Sequence, residues 1–302
     1  MSERDCCATD CCGGGSTAEK NIVTREAGAA PPPVVREPDL PAGDVRTLVR
    51  EKYGAIAEGR AASCCGDSVC GDGATTLARL GYTSDQEAAL PEGADLGLGC
   101  GNPLAWGDAR PGETVLDLGS GAGIDCFLAA REVGPTGRAI GVDMTAAMIE
   151  RARDNAARSG ITNAEFRLGE IEHLPLADAS VDLVISNCVV NLSPQKDQVF
   201  REAFRVLRPG GRMVVSDLVL TRPLPPELRR DVELYVGCVA GASLRDDYLR
   251  SIRDAGFSAV EVVHESGYDI GRDALPENDP RRLAFDAVRS VKVRAERPAS
   301  AR

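Results

Sequence analysis

From Glu113 onward the chain alternates short apolar runs with amphipathic stretches, and this alternation limits the fold more than any other feature. ETVLDLGSG, RAIGVDM, AEFRLGE, VDLVISN and RMVVSDLVL read as five strands. Helices are expected over Ile124–Val133 (ended by GPTG), Thr145–Ser159 and Gln195–Leu207 (closed by RPGG). Near-continuous Val/Ile/Leu runs imply strands buried on both faces, so the fold class is α/β, a parallel sheet with helices on both sides. Past Thr221 the pattern loosens: PPELRRDVELYVGCVAG and Tyr248–Ala255 read as helical, SAVEVVHES as a strand, and the tail after Glu296 as loose. Ahead of the sheet, DVRTLVREKYGAIAEG reads as a helix with Val45, Leu48, Val49 and Tyr53 on one face and Asp44 as N-cap. SCCGDSVCGDG and LGLGCGNPLAW read as loops. Residues 1–43 hold little that could enter a core and are expected to form a flexible leader. The expected division is a leader over 1–43, a sheet domain over 44–219 and a smaller α+β region over 220–302.

Lys and Arg number 35 against 46 Asp and Glu, a net charge of −11. Phosphate contacts need clustered cations, so neither a nucleic-acid nor a membrane partner is expected. No apolar run approaches the ~18 residues of a membrane span. MSERDCCATDCCGGG lacks the apolar core of a secretory signal, so the protein reads as cytoplasmic. Eleven cysteines in a reducing compartment point to soft-metal binding, catalysis or redox chemistry rather than structural disulfides.

Asp117-Leu-Gly-Ser-Gly-Ala-Gly123 follows a strand and opens a helix. The spacing is G-x-G-x-G, not the dinucleotide G-x-G-x-x-G, and an acid stands two residues before the first glycine. A carboxylate aimed at this loop suits a cationic ligand better than a diphosphate. S-adenosylmethionine carries an ammonium and a sulfonium and no phosphate. Asp143 ends the second strand about 20 residues beyond the loop, where a carboxylate is placed to accept both ribose hydroxyls. Gly169-Glu170-Ile171 ends the third strand and would line an adenine pocket. Together these features resemble the Rossmann-like S-adenosylmethionine-dependent methyltransferases over residues 110–220. The resemblance implies that Asp117, Gly119 and Gly121 hold the methionine end, Asp143 the ribose, and Glu170 and Ile171 the adenine side. Met144 and Asn187 would stand beside the cofactor.

Cys188 leaves the fourth strand in SNCVVN, at the carboxyl edge where open α/β sheets bind ligands. Packing is an equal reading for a buried thiol there. Cys238 in YVGCVAGA reads as a close-packing position on a helix, and Cys126 as core. Cys64, Cys65 and Cys70 stand in a polar Gly/Asp/Ser loop with no apolar neighbours to bury them, and Cys100 is similarly placed. A zinc ribbon would need C-x2-C pairs or nearby histidines, which this loop lacks. His173 and His264 read as surface or packing residues.

REKYGAIA, SCCG, LGCGNP, DLGSGAGID, GVDMT, GEIEHLPL, SNCVVNL, EAFRVLRPGG, SDLV and YVGCVAGA resemble the arsenite methyltransferases, from about residue 50 to 242. The resemblance implies trivalent arsenic held by Cys188, Cys238 and Cys100, with Cys64 or Cys65 completing the catalytic thiol set. It implies methylation of arsenite, and of methylarsenite, for detoxification. S-adenosylmethionine would be the methyl donor, a thioredoxin- or glutathione-type thiol the reductant, and no metal cofactor would be required. A monomer is expected. Cys6, Cys7, Cys11 and Cys12 lie outside the shared pattern and are expected to be dispensable for methyl transfer. Thiolates are soft ligands for soft arsenic, and three of them leave its lone pair free. Two other readings stand: a C- or O-methyltransferase of a small molecule such as a quinone or sterol, and a non-enzymatic thiol-rich metalloid-binding or redox protein.

Overall fold

The computed structural model describes residues 42–61, 76–272 and 275–299. Cys6, Cys7, Cys11, Cys12, Cys64, Cys65 and Cys70 lie outside the described residues, and with them the expectations made for the leader and the SCC loop. The strands are β1 (Thr114–Leu118), β2 (Arg138–Asp143), β3 (Ala164–Leu168), β4 (Val181–Asn187), β5 (Leu207–Leu220), β6 (Ser258–Gly267) and β7 (Val288–Glu296). The helices are α1 (Ala42–Ala57), α2 (Thr76–Arg79), α3 (Ser84–Ala88), α4 (Leu104–Gly107), α5 (Ile124–Val133), α6 (Ala146–Ser159), α7 (Lys196–Val206), α8 (Pro226–Arg229), α9 (Val232–Val236), α10 (Arg245–Asp254) and α11 (Arg282–Ala287).

All seven strands join one sheet in the order β3-β2-β1-β4-β5-β7-β6. The first five pair in parallel, while β7 pairs antiparallel with both β5 and β6. Side chains alternate across a strand. Leu116 and Leu118 therefore enter one core layer with Phe200 of α7 and Tyr248 of α10. Val115 enters the other, with Phe127 of α5 and Ile149 of α6. Burial of aliphatic side chains at roughly 1.5–3 kcal/mol each drives both layers. A third apolar cluster joins α1 to β5, α9 and α11, and it contains Cys100, Cys188 and Cys238.

Two expectations need correction. Asp44 lies inside α1, which begins at Ala42, and is not its N-cap. The segment expected as one helix through Cys238 is two short helices, α8 and α9; Gly237 caps α9 and Cys238 follows it in the left-handed region at φ 63°. β7, ending at Glu296, is a strand the sequence pattern did not show, and it carries the sheet onward to β6. Among the described residues no helix is long and apolar enough to cross a membrane.

Candidate functional site

Strand order reverses at β1, which lies between β2 and β4, and such a switch point opens a crevice at the carboxyl ends of the strands. A cavity of about 320 Å³ occupies it. Asp117, Gly119 and Gly121 from the β1–α5 turn, Asp143 and Met144 after β2, Ile171 after β3 and Asn187 of β4 all line it. Gly119 has φ 68°, and a Cβ there would overlap the Val189 side chain, so only glycine lets the turn pass. Asp143 organises this end: its carboxylate accepts from Gly121 N at 3.0 Å and from Thr145 N at 2.8 Å.

Three carboxylates face this end of the cavity, those of Asp117, Asp125 and Asp143. Burial raises the pKa of Asp117 well above the carboxylate range, and the charges of Asp125 and Asp143 add to it. Burial lifts Asp125 to about 6 against hydrogen bonds from Asn187 and Tyr82. Asp143 is raised by burial, opposed by the Thr145 and Gly121 amides. None of the three has an ion-pair partner among the described residues. Ser120 Oγ is buried beside them without a hydrogen-bond partner among the described residues. A ligand with an ammonium and a sulfonium would relieve this concentration of negative charge, so the residues present fit S-adenosylmethionine.

Of two further expected cofactor residues, Glu170 lies outside the cavity and Asn187 lines it. Glu170 does not line the cavity; it pairs with Arg50 at 2.5 Å and Arg46 at 3.6 Å, tying α1 to the end of β3. Asn187 lines the cavity, but its amide is engaged with protein. Nδ2 donates to Tyr82 Oη (3.0 Å), Gly101 O (2.6 Å) and Asp125 Oδ2 (3.1 Å), and Oδ1 accepts from Cys100 N (3.0 Å). It clamps the Cys100 segment to β4. Tyr53 of α1 donates to Val236 O at 3.1 Å, just ahead of Cys238, so α1 roofs the cavity from the β3 end to α9.

Cys188 and Cys238 also line the cavity. Cys100, Cys188 and Cys238 are 3%, 8% and 4% exposed, and all three are free thiols. The Cys100 and Cys188 sulfurs lie within 4.8 Å of each other, and Cys100 and Cys238 both raise the Cys188 thiol. Cys100, expected in a polar loop, is instead buried over β5 and β7. Its Sγ meets Ser216 O at 3.4 Å, and its carbonyl accepts from Ser290 Oγ at 2.9 Å and Lys292 Nζ at 3.5 Å. Cys188 and Cys238 are both left-handed, at φ 60° and 63°. Cys188 N donates to Ser216 O at 2.8 Å, and the Cys238 thiol donates to Cys188 O at 2.8 Å. Gly241 lets the Cys238 segment close, because a Cβ there would overlap the Asn191 carbonyl oxygen. Burial pushes the Cys100 and Cys188 thiols up, so both are protonated near neutral pH. Cys126 is core as expected, its thiol pushed up by burial and by the neighbouring Asp117.

Beneath the thiols lies a polar layer that the sequence reading missed. Asp217 accepts from Tyr248 Oη (3.0 Å), Asn191 Nδ2 (2.8 Å) and its neighbour's amide, Leu218 N (2.9 Å). Burial lifts it to about 7. Lys196 and Lys292 are buried close by, and burial lowers both, Lys196 to about 8. Asp217 stood inside the quoted SDLV motif, but Lys292 belongs to a strand the pattern did not show.

A largely parallel, glycine-turn sheet with a carboxylate-lined cavity at its switch point is the architecture of the Rossmann-like methyltransferases, and residues 109–256 match the model of a methyltransferase domain. An arsenite methyltransferase of Halobacterium salinarum is 50% identical over 275 residues, covering 87% of this chain and 68% of the relative. One from Aquipseudomonas alcaligenes is 40% identical over 236 residues, covering 76% of this chain and 66% of the relative. The crystal structure of an arsenic(III) S-adenosylmethionine methyltransferase from Chlamydomonas reinhardtii is 34% identical, with a TM-score of 0.58 over 74% of this chain and 73% of that one. The chain belongs to the arsenite methyltransferase family. It spans about two thirds of the length of the first two relatives.

Proposed function

We propose that the protein transfers the methyl group of S-adenosylmethionine to trivalent arsenic, arsenite first and methylarsenite after it, as a detoxification reaction. The observation that carries this reading is that Cys188 and Cys238 line the same cavity as the carboxylate-bearing glycine turn, with Cys100 in their buried cluster. When bound, S-adenosylmethionine supplies an electrophilic methyl group on a sulfonium and leaves as S-adenosylhomocysteine. Asp117 and Asp125 would hold the ammonium end, Asp143 the ribose and Ile171 the adenine.

The thiols hold the substrate. Arsenite is the neutral hydroxide, so each As–S bond forms as one hydroxide leaves with one thiol proton as water. Protonated thiols are therefore the competent form, and the raised pKa values of Cys100 and Cys188 do not oppose binding. Three As–S bonds leave the arsenic lone pair free to attack the methyl in line, with no general base. Catalysis then comes from positioning two bound reactants. Transfer takes arsenic formally from the trivalent to the pentavalent state. Two arsenic-bound sulfurs can return the electron pair by leaving together as a disulfide. A fresh thiol then takes one vacated position, losing its proton, and an external dithiol of thioredoxin or glutathione type reduces the disulfide. Cys64 or Cys65 would serve in this thiol set, and the protein would act as a cytoplasmic monomer.

Incubation with arsenite, S-adenosylmethionine and a dithiol, followed by arsenic speciation, tests the reading. Methylated arsenic and stoichiometric S-adenosylhomocysteine are expected. Cofactor binding without any methylated arsenic would overturn it and favour a carbon or oxygen acceptor.

A further inference from the structure

The thiol pocket contains one donor that trivalent arsenic does not need. Cys100 Sγ, Cys188 Sγ and a carboxylate oxygen of Asp217 all lie within 4.8 Å of one another, and all three residues are buried. Arsenic in a pyramidal site is satisfied by three sulfurs. A mixed set of thiolates and one carboxylate is instead the donor set of a borderline-soft divalent cation, with metal–sulfur distances of about 2.3 Å and metal–oxygen of about 2.1 Å. Bonds of that length need ligand atoms roughly 3.5–3.8 Å apart, so closure of about 1 Å at most completes the triangle.

We infer that Cys100, Cys188 and Asp217 form a binding site for a thiophilic divalent cation, Zn2+ or Cd2+, in which such a cation excludes trivalent arsenic. The site shares two thiols with the proposed arsenic site, but it does not rest on arsenic being the substrate.

Two further features fit a cation. The Asp217 carboxylate is already oriented by Tyr248, Asn191 and the Leu218 amide, the supporting hydrogen bonds that ligating carboxylates carry in metal sites. Cys188 opens onto the cavity, which gives the cation its route in.

The test uses the full-length chain with Cys6, Cys7, Cys11, Cys12, Cys64, Cys65 and Cys70 replaced by serine, reduced with a phosphine. Cd2+ is titrated and followed by its thiolate charge-transfer absorbance, and arsenite is titrated separately and in competition. One equivalent of Cd2+, displaced by arsenite, is expected. Asp217→Asn should weaken Cd2+ by at least about tenfold, since losing even a supporting hydrogen bond costs a metal site that much. The same variant should hold arsenite within about threefold of the parent. Cys100→Ser should lose the cadmium band, and this arm decides alone if Asp217→Asn does not fold. Equal cadmium affinity in Asp217→Asn, a cadmium band that survives Cys100→Ser, or arsenite binding with no cadmium site would each overturn the inference. Cadmium binding without arsenite binding would instead overturn the proposed substrate and leave the cation site standing.

Discussion

The thiol of Cys238 donates to the backbone carbonyl of Cys188 at 2.8 Å, so two residues fifty positions apart are joined before any ligand arrives. Both hold positive φ, a region that costs a non-glycine residue roughly 1–2 kcal/mol. Such strain persists where the surroundings over-determine it and clusters at functional sites. The two sulfurs are thus preset at the cavity floor.

From this follows a split among serine variants. Cys188→Ser and Cys238→Ser should abolish methylation of both arsenite and methylarsenite. Cys100→Ser should lose arsenite methylation and keep part of the methylarsenite activity, because a methylated arsenic has only two exchangeable positions. Product speciation with each substrate checks this, and full arsenite activity in Cys188→Ser would remove that residue from the site.

Asn187→Ala should release the Cys100 segment. It strips partners from Tyr82, Asp125 and the Cys100 amide, all buried or nearly so. Unsatisfied buried groups cost about 1–3 kcal/mol each, so a stability loss on the order of 2–4 kcal/mol is expected in urea unfolding. Arsenite affinity should fall as well.

Asp143→Ala should weaken S-adenosylmethionine binding by about a hundredfold, a loss of two supporting interactions and the ribose contact at roughly 1 kcal/mol each. Arsenite binding, which rests on the thiols, should persist. Calorimetry on both ligands separates the two effects, and an unchanged cofactor affinity would show that the ribose lies elsewhere.

Cofactor affinity should depend on pH through Asp125. Its pKa is about 6, raised above the unfolded value, so folding favours its protonated form and stability contributed by this group falls as pH rises from about 4 to 6. A cationic ligand favours the ionised form. Binding at pH 5 therefore carries the cost of deprotonation, and affinity should improve about tenfold between pH 5 and 7.5. Asp125→Asn should flatten this profile. A wild-type profile that is already flat would mean the cation does not meet this carboxylate.

The sheet was legible because its signal is local. Ile124–Val133 and Val181–Asn187 coincide with the expected helix and strand to the residue, since a helix set between Gly123 and Gly134 and a largely aliphatic strand each carry their signal locally. β7 was not legible. RSVKVRAE carries charge at Arg289, Lys292, Arg294 and Glu296, and only the long-range pairing with β5 and β6 makes it a strand. Cys188 was placed correctly at the sheet edge from its strand alone. Cys100 was misread as solvent-facing because its covering groups, Ser216, Ser290 and Lys292, come from more than a hundred positions later. Glu170 lies outside the cavity, and nothing local shows that Arg46 and Arg50 pair with it.

The insertion of β7 between β5 and β6 sets a time order on the thiol pocket. Cys100 is seated by Ser290 and Lys292, so its seat is made of chain that leaves the ribosome almost two hundred residues after it does. The glycine turn and β1 to β5 can form while synthesis continues, since chains fold from the N-terminal side as they emerge. A chain paused before β7 would therefore present a cofactor cavity beside an unseated thiol. Metalloid exposure during synthesis should then meet Cys100 in incomplete chains before Ser290 and Lys292 fix its backbone carbonyl.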